Sequence, residues 1–112
     1  MRKDNQDAEQ LLRSLGVTGK LVGFRYTNYM IERVADDPEQ LHLITKGLYR
    51  ETAKEYGVNG AAVERAVRTL IQRCWEREDH SELDRIAGHH LMEGPTNTEF
   101  IDILADYLRR NR

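Results

Sequence analysis

The sequence predicts an all-α domain of about six helices around one hydrophobic core, containing a helix-turn-helix from about Tyr49 to Arg77. Three observations lead there. Apolar residues follow the helical period while period-2 alternation is weak throughout. A chain of 112 residues is the usual size of one domain and closes one core rather than two. Helix starts and stops are also written locally: Asp37-Pro38 and Thr96-Asn97-Thr98-Glu99 open helices, and Gly16 and Gly57 close them. With neither repeats nor low-complexity stretches, residues 1–112 read as a single unit whose first five residues form a flexible start.

In chain order, a first helix runs from about Gln6 to Leu15, with Ala8, Leu11, Leu12 and Leu15 on one face and Gly16 ending it in a left-handed conformation. A second spans about Phe24 to Ala35 and turns Tyr26, Tyr29, Met30 and Val34 inward. A third starts at Asp37, where the carboxylate accepts from orphan amides, Pro38 suits the first turn and Gln40 reaches back; it is expected to stop near Lys46-Gly47. A short helix then fits Tyr49 to Tyr56, closed by Gly57, and a long one follows from Gly60 to Arg77. Ser81 to Ala87 form another short helix and Gly88 to Gly94 a loop. Thr96 and Glu99 make a capping box for the last helix, which reaches about Arg109 on a stripe of Phe100, Ile101, Leu104, Tyr107 and Leu108.

The stretch from Tyr49 to Arg77 meets the steric rules of a helix-turn-helix. Ala53 allows two backbones to cross closely, Gly57 four residues later takes the positive φ of the turn, and Val58 and Val63 are expected to pack into the angle. Within the 60–77 helix, Val63, Ala66, Val67, Leu70, Ile71, Cys74 and Trp75 form one apolar face. Projected at about 100° per residue, Ala61, Arg65, Arg68, Thr69 and Gln72 then point outward, with Ala62 and Glu64 at the edges.

Those outward residues have the chemistry of base readers. Arginine donates twice to guanine, glutamate accepts from the cytosine amino group, and threonine and glutamine serve either role. The start of such a helix lies deepest in the major groove, so Ala62, Glu64, Arg65, Arg68 and Thr69, with Gln72 assisting, are the expected base-reading set. Glu64 and Arg68 also stand at i, i+4 and are equally explained as a surface ion pair. Lys46, Arg50, Lys54 and Arg73 are expected on phosphates. The formal net charge is −2, yet from Ile44 to Arg73 six cations stand against Glu51, Glu55 and Glu64, a cationic face on an acidic body.

Ile44-Thr45-Lys46-Gly47-Leu48-Tyr49, Val63-Glu64-Arg65-Ala66-Val67-Arg68, Trp75 and Pro95-Thr96-Asn97-Thr98-Glu99-Phe100-Ile101, with the closing Ala105-Asp106-Tyr107-Leu108-Arg109, together resemble one family. It is the C-terminal DNA-binding effector domain of the sporulation initiation master response regulator of endospore-forming Firmicutes, matched over about residues 10 to 110. The resemblance implies six helices, sequence-specific operator binding through the 60–77 helix, and tandem binding of two copies, a dimer on double-stranded DNA. It also implies a contact between the segment from Ser81 to Met92 and the RNA polymerase sigma subunit. Two reading-face positions depart from the family, which usually has a basic residue at Ala62 and commonly a histidine at Thr69. His89-His90 and Glu93-Gly94 depart near the sigma-contacting loop. No phosphoacceptor receiver domain is expected in this chain.

Other functions find no support in the sequence. His42, His80, His89 and His90 lack metal-ligand spacing, so neither a metal nor another cofactor is expected. The single cysteine, Cys74, sits beside Trp75 on an apolar face and reads as a buried, inert thiol. Asp36-Asp37 and the carboxylates from Glu76 to Glu82 cap or solvate rather than pair for acid–base work, and no enzyme is expected. With neither a signal peptide nor a run of about 18 apolar residues, the expected place is the cytoplasm, away from membranes. The alternative reading is a degenerate relative acting as a protein-interaction module, pairing with a regulator or with polymerase, motivated by Ala62 and the acidic total.

Overall fold

The structure is a computed structural model that describes residues 7–112 and, at Thr45 and Lys46, the backbone alone. Gln6 and the flexible start expected over residues 1–5 lie outside the described residues. Six α-helices are present among the described residues: α1 (Ala8–Ser14), α2 (Gly23–Asp36), α3 (Tyr49–Tyr56), α4 (Gly60–Glu76), α5 (Ser81–Ala87) and α6 (Asn97–Asn111). No strand is found among them.

Local chemistry sets most ends. Asp7 and Gln10 form a capping box on α1, and Gly16 leaves it at φ 92° with the Arg77 side chain against its α-carbon. Thr96 and Glu99 form the reciprocal box expected for α6, with Thr96 Oγ1 accepting from the Glu99 amide at 3.1 Å and Glu99 Oε1 from the Thr96 amide at 2.8 Å.

The expected third α-helix is corrected. Pro38–Leu43 is a 3-10 helix and Ile44–Leu48 a π-helical turn, and the chain runs from there into α3 without the stop expected at Lys46-Gly47. Asp37 does accept from the Glu39 amide at 3.2 Å, but the Gln40 side chain donates to the Asp37 carboxylate rather than reaching a backbone amide. Pro38–Leu43 buries no residue completely, so the regular α-helix gains no packing there. The π turn instead delivers Leu48 and Tyr49 into the core.

α2 is the central helix and packs against α6, α4, α1 and α3, while α3 lies on α4 and α5 on α6. Met30, Ile31 and Val34 of α2 meet a core completed by Val63, Val67 and Leu70 of α4 and Phe100, Ile101, Leu104 and Leu108 of α6. The expected apolar stripes are therefore the buried ones, with Tyr29, Ala66, Trp75 and Tyr107 half-buried at their margins. Glu32 ties both ends of the bundle to α2, accepting from the Ala8 amide at 2.9 Å and from Arg112 at 2.6 Å.

One contact fixes the spacing of α2 on α4. A β-carbon at Gly23 would lie 2.3 Å from the carbonyl oxygen of Ala66, closer than any real β-carbon sits. Glycine at the start of α2 and alanine in the middle of α4 thus let the two backbones approach.

Candidate nucleic-acid interface

The turn between α3 and α4 has the expected form. Gly57 is left-handed at φ 69°, and the Ala53 carbonyl accepts from the amides of both Gly57 and Val58. Asn59 then caps α4, its Oδ1 accepting from the Ala62 amide at 2.8 Å. Val63 is buried as expected, but Val58 is 38% exposed and does not pack into the angle. Tyr56 is half-buried and meets Tyr26 and Tyr29 at ring-centroid distances of 5.3 and 5.9 Å, so an aromatic cluster wedges α3 against α2 instead.

α3 is held by Glu51. Its carboxylate accepts from Tyr29 Oη at 2.6 Å and from Arg33 Nε at 2.5 Å, joining α3 to α2. Arg33 and Tyr29 hold the Glu51 carboxyl below its usual range, and the same bond, together with burial, pushes the Tyr29 phenol up to about 12. One of the three anions of the cationic segment is thereby neutralised from behind.

A second tie comes from the start of α6. Asn97 Nδ2 donates to Tyr49 Oη at 2.9 Å and to the Glu64 carbonyl at 3.1 Å, so one amide joins α6, α3 and α4. The Tyr49 phenol is raised, chiefly by burial, with Asn97 acting in the opposite direction.

α4 presents the expected outer face: Ala61, Arg65, Arg68, Thr69 and Gln72 are exposed, and Ala62 and Glu64 are half-buried at its edges. Glu64 and Arg68 form the i, i+4 ion pair that the spacing left open. Grooves flank the helix on both sides. One is lined by Glu64, Arg68 and Gln72 together with Tyr49, Arg50 and the segment Gly94–Thr98; the other by Ala62, Arg65 and Thr69 together with the segment Lys20–Gly23. The six expected base readers are thus brought together on one helix, divided between two flanks.

The cations are sorted by their partners. Among the described residues, Arg13, Arg33, Arg68, Arg85, Arg109, Arg110 and Arg112 form ion pairs with carboxylates, and all but Arg68 lie outside α3 and α4. Arg50, Lys54, Arg65 and Arg73 are exposed on α3 and α4 with no carboxylate partner among those residues. Arg25 stacks on Tyr56, 5.1 Å from the ring centre. The side chain of Lys46, the remaining expected phosphate contact, lies outside the described residues.

The Glu51 clamp, Asn97 and the Lys20–Gly23 wall escape the sequence reading. Glu51 and Asn97 act across 18 to 48 residues of chain, where helical periodicity has no reach. Gly23 offers the one local signal, a glycine directly at a helix start.

At the other end of α4, the indole of Trp75 stacks on the His80 ring at 3.8 Å, and His80 Nε2 lies 2.8 Å from the Trp75 carbonyl oxygen. Asp79 accepts from the Ser81 amide at 2.9 Å, a capping role for one of the carboxylates between Glu76 and Glu82. Asp84 gathers the following loop, accepting from the Leu91 amide at 3.0 Å and lying 2.8 Å from His90 Nδ1, and Met92 projects with 85% exposure. Cys74 is buried, and burial pushes its thiol up to about 12. Among the described residues no cluster of three His, Cys, Asp or Glu could hold a metal ion, and no helix is long and apolar enough to cross a membrane.

With the geometry in place, comparison with protein families matches residues 8–108 to the sporulation initiation factor Spo0A C-terminal family.

Proposed function

Because the chain belongs to the Spo0A C-terminal family, the DNA-binding domain of a sporulation regulator rather than an enzyme family, we propose that it reads specific DNA sequences with α4 in the major groove. The observation that carries this is the bias in how the cations are partnered: of those on α3 and α4 only Arg68 is paired, which leaves Arg50, Lys54, Arg65 and Arg73 for an outside anion, whereas Arg13, Arg33, Arg85, Arg109, Arg110 and Arg112 elsewhere are spent on the protein's own carboxylates. Arg65 and Thr69 read bases from one flank. Arg68, aligned by Glu64, and Gln72 read from the other, and Ala62 leaves room for close approach. Arg50, Lys54, Arg73 and Lys46 hold phosphates. Family membership supports tandem binding of two copies on DNA, a sigma-subunit contact through the segment Ser81–Met92, and a place in the cytoplasm.

The test is binding to a labelled duplex carrying the family's tandem operator against a scrambled duplex, across a salt series. Operator preference with a steep salt slope is expected. Arg65→Ala or Arg68→Ala relaxes base preference, whereas Lys54→Ala weakens all sequences alike and lowers the salt slope by about one unit. Salt-sensitive binding without preference refutes sequence-specific reading at that operator. No binding at low salt refutes the DNA role and favours a protein-interaction module.

A further inference from the structure

We infer that the segment Lys20–Gly23 is a second wall of the DNA-binding surface, with Lys20 gripping the phosphate backbone of the strand opposite to the one held from Arg50. The inference rests on the reading of α4 as the groove-entering helix and adds an element outside the helix-turn-helix. A helix lying in the major groove has one phosphate backbone on each side. On one side of α4 stands Arg50, across the groove that also holds Glu64 and Arg68; on the other stands Lys20, across the groove that holds Arg65 and Thr69.

The two grooves differ in charge. The Arg50 side mixes cations with Glu64 and Glu76, whereas the Lys20 side is lined by two cations, Lys20 and Arg65, and by no carboxylate. Lys20 is exposed and has no ion-pair partner among the described residues. Its position is set rather than floppy: its amide donates to Thr18 Oγ1 at 3.3 Å, the Leu21 amide bonds the Thr18 carbonyl at 3.1 Å, and Gly23 is seated against Ala66. The wall therefore keeps a fixed distance from the reading flank of α4, and an anion is the occupant that its charge complements.

The experiment uses the whole chain, the operator and scrambled duplexes, and the variants Lys20→Ala, Lys20→Arg and Arg50→Ala. Removing one phosphate contact lowers the salt slope by about 0.9, so the wild-type advantage over Lys20→Ala shrinks about 3.5-fold between 50 and 200 mM salt, on both duplexes. Lys20→Arg restores the slope. In ethylation interference, Lys20→Ala erases signals on one strand and Arg50→Ala on the other. If wild type binds but Lys20→Ala matches it in slope and footprint, or loses phosphates on the Arg50 strand, the second wall is refuted while the role of α4 stands. Failure of the wild type to bind either duplex overturns both.

Discussion

Replacing Gly23 with alanine tests the packing that sets α4 in place. The new β-carbon would stand 2.3 Å from the Ala66 carbonyl oxygen, and ordinary contact begins near 3.4 Å, so α2 and α4 must part by about 1 Å. The obstacle is backbone, which cannot swing aside as a side chain would. Overpacking of this kind costs about 1–3 kcal/mol or more, against a gain of about 0.5–1 kcal/mol from removing a helical glycine. A rigid backbone obstacle puts the cost at the upper end of that range, so a net loss of about 2 kcal/mol is expected, which for a chain of this size lowers Tm by about 6–12 °C. Gly60→Ala is the matched control: Gly60 also opens its helix, but its β-carbon would meet only Tyr49 Cβ at 4.0 Å. Thermal unfolding by circular dichroism should show Gly60→Ala near or slightly above wild type and Gly23→Ala well below it. Equal melting of the two variants, or a stabilised Gly23→Ala, refutes the close crossing.

Three more outcomes follow from particular contacts. Glu51→Gln removes the charge shared by Arg33 and Tyr29; with the Arg33 and Glu51 side chains each about one-third exposed, the cost is discounted to about 1 kcal/mol at pH 7. Because the folded Glu51 carboxyl lies below its ordinary value of 4.5, the wild-type advantage is complete above that value and disappears as pH falls through the lowered one, which urea melts from pH 7 to 3 would follow. A gap already closing near pH 6 would contradict the pairing. Asn97→Ala loses the bonds to Tyr49 and Glu64 and should cost about 1–2 kcal/mol in the same melts, with Asn97→Asp no better because it has no amide to donate. Cys74, raised to about 12 by burial, should react with a thiol reagent in step with unfolding; rapid labelling of the native protein would show that the α4 core is open.

The sequence reading succeeded where a signal and its consequence lie within one turn. Thr96 and Glu99 satisfy each other three residues apart, Gly57 takes the positive φ of its turn, and the 3.6-residue period sorts α4 into core and outer face, so those elements are observed as expected. It failed where distant parts compete. Asp37-Pro38 announces a helix start, but only the tertiary demand that Leu48 and Tyr49 enter the core selects 3-10 and π geometry over an α-helix. Val58 has the composition of a core residue, yet the Ala53 carbonyl takes its amide, its side chain stays 38% exposed, and it is Tyr56 that packs, on Tyr26 of α2. Charge counting likewise treated Glu51 as an obstacle beside the cations, and its neutralisation by Arg33 required the fold of α2 on α3.

The stacked Trp75 gives the domain an optical gauge of its own. It is the sole tryptophan in the chain, so all indole emission arises from this one place. One face lies on the imidazole of His80, and Gly94 stands against the ring with room for a β-carbon only 3.4 Å away. The same indole lines the groove on the Arg50 side of α4. Two events therefore write to a single emission band: displacement of the loop at Gly94, and arrival of a strand beside Arg50. An unlabelled protein can thus report occupancy of one flank of α4, while the Lys20 flank, which has no indole, stays dark.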